Sequence, residues 1–208
     1  MLVLTGASEQ AFCAGADLKA LDTLDADLPG GPLGFTRLSS PKPAIAAVSG
    51  YCLAGGFELA LWCDLRVATE GATFGCAERR WGVPLIDGGT QRLARVAGQG
   101  RALDLVLTGR MVAATEARDM GLVTEVVPEG EHVARALEIA ERLAAFPQDT
   151  MLSDRRALIE GLGVPLEDGL ALEARLGREV LDTAARGAAR FAAGEGRGGA
   201  QLPGPAGY

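Results

Sequence analysis

Ser49 to Ala68 reads SGYCLAGGFELALWCDLRVA, and this stretch decides the fold class. It follows Ala44-Ile45-Ala46-Ala47-Val48, a small-residue apolar run that reads as a buried strand ending at Ser49-Gly50. Ala54-Gly55-Gly56 then opens an apolar helix from Phe57 to about Cys63, and Asp64 to Ala68 reads as another strand. Strand, glycine-rich junction, helix and strand in succession is an α/β pattern. Glycines at a helix start let the backbone turn sharply and leave N–H groups pointing outward without intrahelical acceptors. Such an end favours an anion or an oxygen gaining negative charge. The same glycines also serve as plain packing and turn devices, so two readings stand. Glu58 is the only charged residue of Gly55 to Cys63. A carboxylate there is desolvated, which raises its pKa and suits it to proton transfer near neutrality. The bland reading is a buried Glu held by a partner such as Arg66.

Upstream, Val3 to Thr5 reads as a short buried strand, followed by Phe12-Cys13-Ala14-Gly15-Ala16-Asp17-Leu18-Lys19. Its Ala14-Gly15-Ala16-Asp17 phrase offers a second cluster of small-residue N–H groups after a strand. Two such sources facing one another make an oxyanion hole without any side chain. Asp22 to Pro41 is polar and rich in Asp, Gly and Pro, and is expected to be a mobile loop with one helical turn. Downstream, Glu78 has two readings, a second acid/base group or a surface residue paired with Arg79 and Arg80. Asp87 reads as the N-cap of the helix beginning near Thr90. Lys19, Arg79, Arg80, Arg92 and Arg95 supply local positive charge.

Helices are expected at Thr90 to Val96, Gly100 to Leu107, Thr115 to Met120 and Glu131 to Phe146, with a strand at Leu122 to Val127. Thr150 to Glu160 and Glu167 to Ala193 also read as helix, the latter broken near Gly187. The organisation expected is a core over residues 1–146, a helical region over 147–193 and a frayed Gly/Pro-rich tail over 194–208. No fixed-period repeat is visible.

Composition narrows the function. The chain has 208 residues, 48% hydrophobic and 23% charged, enough to bury a core without disulfides or metals. Its 29 glycines and 5% aromatics call for many tight turns or close backbone approaches. A net charge of -7 excludes general nucleic-acid binding. Cys13, Cys52, Cys63 and Cys76 form no C-x-x-C pair, so a zinc site is not expected, and scattered reduced thiols suit the cytoplasm. A Ser-His-Asp triad would have to use the single histidine, His132, which is expected at the surface of a charged helix. No phosphate-binding G-x-x-x-x-G-K-[ST] loop is present. No leader is evident ahead of Leu2, and no apolar run is long enough for a membrane span.

Taken together, FCAGADLK (Phe12 to Lys19), SGYCLAGGFELALWCDLRVA (Ser49 to Ala68), FG..E (Phe74 to Glu78), GGTQRL (Gly88 to Leu93) and LTGR...A.EA...GLV (Leu107 to Val123) resemble the enoyl-CoA hydratase/isomerase family, also called the crotonase family. The resemblance runs from Leu2 to about Pro128, and more loosely beyond. It implies an α/β crotonase-like (ClpP/crotonase) ββα spiral with a C-terminal helical region. It also implies an acyl-CoA thioester substrate gripped by Ala14, Gly15, Ala16, Asp17, Leu18 and Lys19. The backbone N–H groups of Ala16 and Gly55 then form the oxyanion hole, with Glu58 and Glu78 as catalytic acid/base residues. No cofactor is implied, coenzyme A being part of the substrate. A homo-oligomer is, as a trimer or a dimer of trimers.

Departures from the family pattern set further expectations. The pattern has two strands and a helix before the Val3-Leu4-Thr5-Gly6 strand, so an N-terminal segment that helps hold the nucleotide is missing here. Leu85-Ile86 stand where hydratases have Pro-Gly, and Ala77 replaces a proline before Glu78. Asp87 stands where a small residue is usual and is a possible additional acid/base. The function expected is enoyl-CoA hydratase, syn addition of water to a trans-2-enoyl-CoA. Δ3,Δ2-enoyl-CoA isomerase, or another enolate-forming acyl-CoA enzyme, is the first alternative. A catalytically silent acyl-CoA-binding or assembly subunit is the second.

Overall fold

The computed structural model describes residues 1–195 of the chain, so the expected tail lies outside the described residues from position 196 onward. The chain opens with β1 (Leu2–Thr5), β2 (Ala11–Cys13), a 3-10 helix (Leu18–Thr23), β3 (Ala44–Val48), β4 (Tyr51–Leu53) and α1 (Gly55–Trp62). Then come β5 (Leu65–Thr69), β6 (Thr73–Gly75), a second 3-10 helix (Ala77–Trp81), α2 (Gly89–Ala97) and α3 (Gln99–Thr108). The short elements β7 (Met111–Ala113), α4 (Ala114–Asp119) and β8 (Glu125–Val127) precede four helices. These are α5 (His132–Ala145), α6 (Gln148–Gly161), α7 (Leu166–Glu179) and α8 (Leu181–Ala192).

Each winding of the chain gives one strand to each of two sheets. The first sheet has the order β1-β3-β5-β8 and is parallel throughout. Every residue of β3 is buried, as expected for a central strand covered on both faces. Its register sets Val3 beside Ile45 and Ile45 beside Leu65. The second sheet has the order β2-β4-β6-β7, with β7 antiparallel. All four of its strands are three residues long, and all four escape the sequence reading. A three-residue strand is too short to show a period of two. Between the windings packs a core that includes Val48, Phe57, Phe74, Leu93, Leu105 and Leu122. The rings of Phe57 and Phe74 meet at 5.8 Å.

The chain divides into two compact units, Met1–Leu137 and a second starting at Glu138. In the second, Thr183 on α8 donates to Asp149 of α6 at 3.0 Å. The long C-terminal helix expected from the sequence breaks at Val180, not Gly187, where the backbone leaves helical geometry (φ -116°, ψ 11°).

Two further expectations need correction. His132 is 3% exposed rather than at the surface, because the start of α5 brings its ring to the Ser8–Ala11 turn. There Nδ1 lies 3.9 Å from the Glu9 carboxylate. Within the segment 22–41, expected to be a mobile loop, the stretch 33–38 is tied to the core, while 22–29 is mostly exposed. Thr36 is fully buried, the Trp62 indole N–H donates to the Leu38 carbonyl at 2.7 Å, and Phe35 meets Trp62 edge to face at 4.9 Å.

Candidate active site

The ends of β2 and β4 lie side by side, with Cys13 beside Cys52. The chain therefore runs on into two adjacent loops, Ala14–Ala16 and Leu53–Gly55. They touch because glycine removes the Cβ atoms that would separate them. A Cβ on Gly15 would lie 2.9 Å from the Gly55 nitrogen, and one on Gly56 would lie 2.0 Å from the Cys13 carbonyl oxygen. Gly15 also has φ +93°, a conformation that L side chains rarely adopt. Among the described residues, the N–H groups of Ala16 and Gly55 donate to no acceptor. Ala54, which precedes Gly55, has φ 52° and ψ -128°, strained for a residue with a Cβ. It is held there at both ends. Its N–H donates to the Gly75 carbonyl at 3.0 Å, and its carbonyl accepts from Phe57 and Glu58 at 2.9 and 3.1 Å.

These loops form one wall of a cavity of about 350 Å³. Ala14, Ala16, Asp17, Leu18 and Gly55 line it, together with Glu58, Glu78 and Asp87. Gly15 and Lys19 do not. Gly15 provides the close approach just described, and Lys19 is exposed, with its N–H on the Asp17 side chain at 2.9 Å. Hydrophobic residues, among them Leu24, Leu33, Val83 and Ile86, make up much of the remainder, and Trp81 is 73% exposed at its edge.

Glu58 sits in the first turn of α1, 3% exposed. Its Oε1 accepts the backbone N–H groups of Asp87 at 2.9 Å and Gly89 at 2.7 Å. Burial pushes its pKa up to about 7. The two N–H bonds oppose that rise, and the nearby Asp87 and Glu78 charges add to it. Arg66 is not its partner. That guanidinium is spent on the carbonyls of Leu122 and Cys63 (both 2.6 Å), Ala60 (3.2 Å) and Asp64 (3.3 Å).

Glu78 is 6% exposed, at the start of the second 3-10 helix. Neither of its carboxylate oxygens has a hydrogen-bond partner among the described residues. Burial raises its pKa against smaller pulls from its own backbone N–H and from Arg79. Arg79 and Arg80 turn away to carbonyls of Val106 and Gly109, so the surface-pair reading does not describe this residue.

Asp87 is 4% exposed and is not an N-cap. Gly88, left-handed at φ 97°, precedes α2, and no side chain caps that helix. Asp87 Oδ1 instead accepts from the Thr36 hydroxyl and from the Leu33 N–H (3.1 Å). Arg92 closes the same knot by donating to the carbonyls of Asp87 (2.8 Å) and Thr36. Thr36, Leu33 and Arg92 were not singled out for this from the sequence. Nothing local in GPLGFTR marks a partner that lies more than a full winding away.

The arrangement joins two outward N–H donors, two buried carboxylates of raised pKa and an apolar wall. It can polarise a carbonyl oxygen and move protons at neighbouring atoms. Among the described residues, no three His, Cys, Asp or Glu side chains are grouped to hold a metal ion.

Comparison with known proteins points the same way. The sequence pattern of the family described as Enoyl-CoA hydratase/isomerase matches residues 1–195. The short-chain-enoyl-CoA hydratase of Clostridium acetobutylicum is 37% identical over 188 residues, covering 88% of this chain and 72% of that protein. The crystal structure of an enoyl-CoA hydratase from Bacillus anthracis superposes with a TM-score of 0.82 at 38% identity, covering 92% of this chain and 77% of that one. One from Mycobacterium tuberculosis gives 0.84 at 35%, with the same coverage. These neighbours share the crotonase-like α/β fold expected from the sequence.

Proposed function

The chain belongs to the enoyl-CoA hydratase/isomerase family, and from that premise we propose that it hydrates trans-2-enoyl-CoA thioesters reversibly to 3-hydroxyacyl-CoA. The observation that carries this reading is the presence of Glu58 and Glu78, both buried, in the cavity walled by Ala16 and Gly55.

The thioester carbonyl oxygen accepts from the N–H groups of Ala16 and Gly55. Addition at C3 moves electron density onto that oxygen, and fixed donors stabilise it. One such donor lowers the barrier by about 3 kcal/mol. Glu58, as carboxylate, takes a proton from water as its oxygen bonds to C3. The resulting enolate collapses as Glu78 delivers a proton to C2. Two groups are needed because addition across a double bond requires a base and an acid at neighbouring carbons. A pKa of about 7 lets Glu58 hold and release a proton near neutrality. The scheme uses no metal or redox cofactor, and coenzyme A enters with the substrate.

Adding protein to crotonyl-CoA should lower the absorbance of the conjugated thioester, and Glu58→Gln should slow this by orders of magnitude. A variant as fast as the wild type would sink the assignment.

One observation favours a second reading, Δ3,Δ2-enoyl-CoA isomerisation. Glu58 is fixed by two N–H groups, whereas Glu78 is held by none. A single fixed carboxylate suffices to carry a proton between carbons. Appearance of conjugated product from a 3-enoyl-CoA would identify it.

We also propose a homo-oligomer, a trimer or a dimer of trimers. Supporting it, the helical unit exposes Leu158, Leu162, Leu166 and Leu170. A cytoplasmic location is supported by four cysteines present as free thiols. No helix among the described residues is long and apolar enough to cross a membrane.

A further inference from the structure

Asp87 uses its carboxylate unevenly. Oδ1 takes both the Thr36 hydroxyl and the Leu33 N–H. Oδ2 takes no hydrogen bond among the described residues, and Asp87 lines the cavity. Among the described residues no ion pair engages that carboxylate, and the nearby Arg92 directs its N–H groups to the carbonyls of Asp87 and Thr36. The side chain is 96% buried by its 4% exposure and cannot swing out, because Oδ1 is pinned on one side and the Asp87 N–H holds Glu58 on the other. The cavity thus presents a fixed, acceptor-only oxygen beside the group proposed to activate water at C3.

An alkyl chain laid against that oxygen would strip its water and return nothing, which is costly for a charged acceptor. A hydroxyl would return a charge-assisted hydrogen bond. Sites built to bond a substrate hydroxyl discriminate sharply against the analogue lacking it. Accordingly, we infer that Asp87 selects acyl groups carrying a hydroxyl just beyond the reacting double bond, so that the preferred substrates are hydroxylated 2-enoyl thioesters rather than plain alkyl ones. This inference rests on the hydratase reading for the placement of the acyl chain, and makes Asp87 a specificity residue in place of a third acid/base.

The test is calorimetric binding of trans-4-hydroxybut-2-enoyl-CoA and crotonyl-CoA to the Glu58→Gln protein, in which turnover is blocked and the Asp87 N–H keeps its acceptor. The hydroxylated thioester should bind about tenfold more tightly or better, the range of a hydrogen bond to a charged group. In the Glu58→Gln/Asp87→Asn double variant the ratio should fall several-fold, since Asn retains an oxygen for Thr36 and Leu33 but offers no carboxylate. Equal binding of the two thioesters, or a preference untouched by Asp87→Asn, overturns the inference. Wild-type turnover of crotonyl-CoA, assayed separately, shows whether the hydratase reading stands in that case. Binding of neither thioester overturns both.

Discussion

The backbone nitrogen of Gly89 lies 2.7 Å from Oε1 of Glu58, joining the first residue of α2 to the first turn of α1. The contact leaves no room for a side chain. A Cβ on Gly89 would stand 2.8 Å from both Cγ and Oε1 of Glu58. Gly89→Ala should therefore displace the carboxylate while leaving the sheets intact. The expected result is a fall in kcat of tenfold or more, with a stability loss of about 1–3 kcal/mol. Steady-state kinetics and urea unfolding on the same preparation check it.

Glu58→Gln keeps an oxygen for the Asp87 and Gly89 N–H groups and removes only the titrating function. It should lower kcat by about 10²–10⁴ with little change in the unfolding midpoint. A large loss of stability would reassign Glu58 to a structural role.

The pH dependence follows from the same residue. Folded Glu58 ionises near 7, against an ordinary value of 4.5. Between those values the folded state holds a proton that the unfolded state has released. Stability should thus fall as pH rises through that window and level off above it. Activity resting on the Glu58 carboxylate should rise over the upper part of the same range. Urea midpoints of wild type and Glu58→Gln across the window isolate the effect, and the slope should flatten in the variant.

Ala54→Gly should stabilise the protein by about 1 kcal/mol, because relief of a strained φ/ψ pair outweighs the added freedom of the unfolded chain. A lower urea midpoint for the variant would show that the Ala54 geometry carries no strain.

Arg66→Ala should cost about 3 kcal/mol or more. It strips donors from four carbonyls at once, three of them bonded within the buried core. Denaturant unfolding measures the loss.

Long apolar runs and glycine stops made much of the fold legible. The expected strand over Ala44 to Val48 matches β3 to the residue, and the helix expected from Phe57 to about Cys63 overlaps α1 as far as Trp62. Glu58 stood out because it is one charge in an otherwise apolar helix. The second sheet was hidden because its strands are only three residues long, held by pairing across windings rather than by any pattern of their own. The Asp87 knot was hidden for a related reason. Its partners, Thr36 and Leu33, lie far off in the chain, and Asp87 fits the local grammar of a helix cap well enough to mask its real task. His132 misled in the opposite direction, since a charged neighbourhood in sequence does not report what a helix start packs against.

The parallel winding also governs how this chain reaches its fold. No ladder in either sheet is a hairpin, and the most local register pairs, those of β3 with β5 such as Ile45 with Leu65, already enclose all of α1. Val67 must find Glu125 across everything between them. Each pairing therefore has to wait for the closure of a long loop, and a helix that shortens the loop lowers the entropy lost. Refolding from denaturant should be slow for the size of the chain, with α1 forming before β3 and β5 meet, and with unpaired strand edges exposed in the meantime.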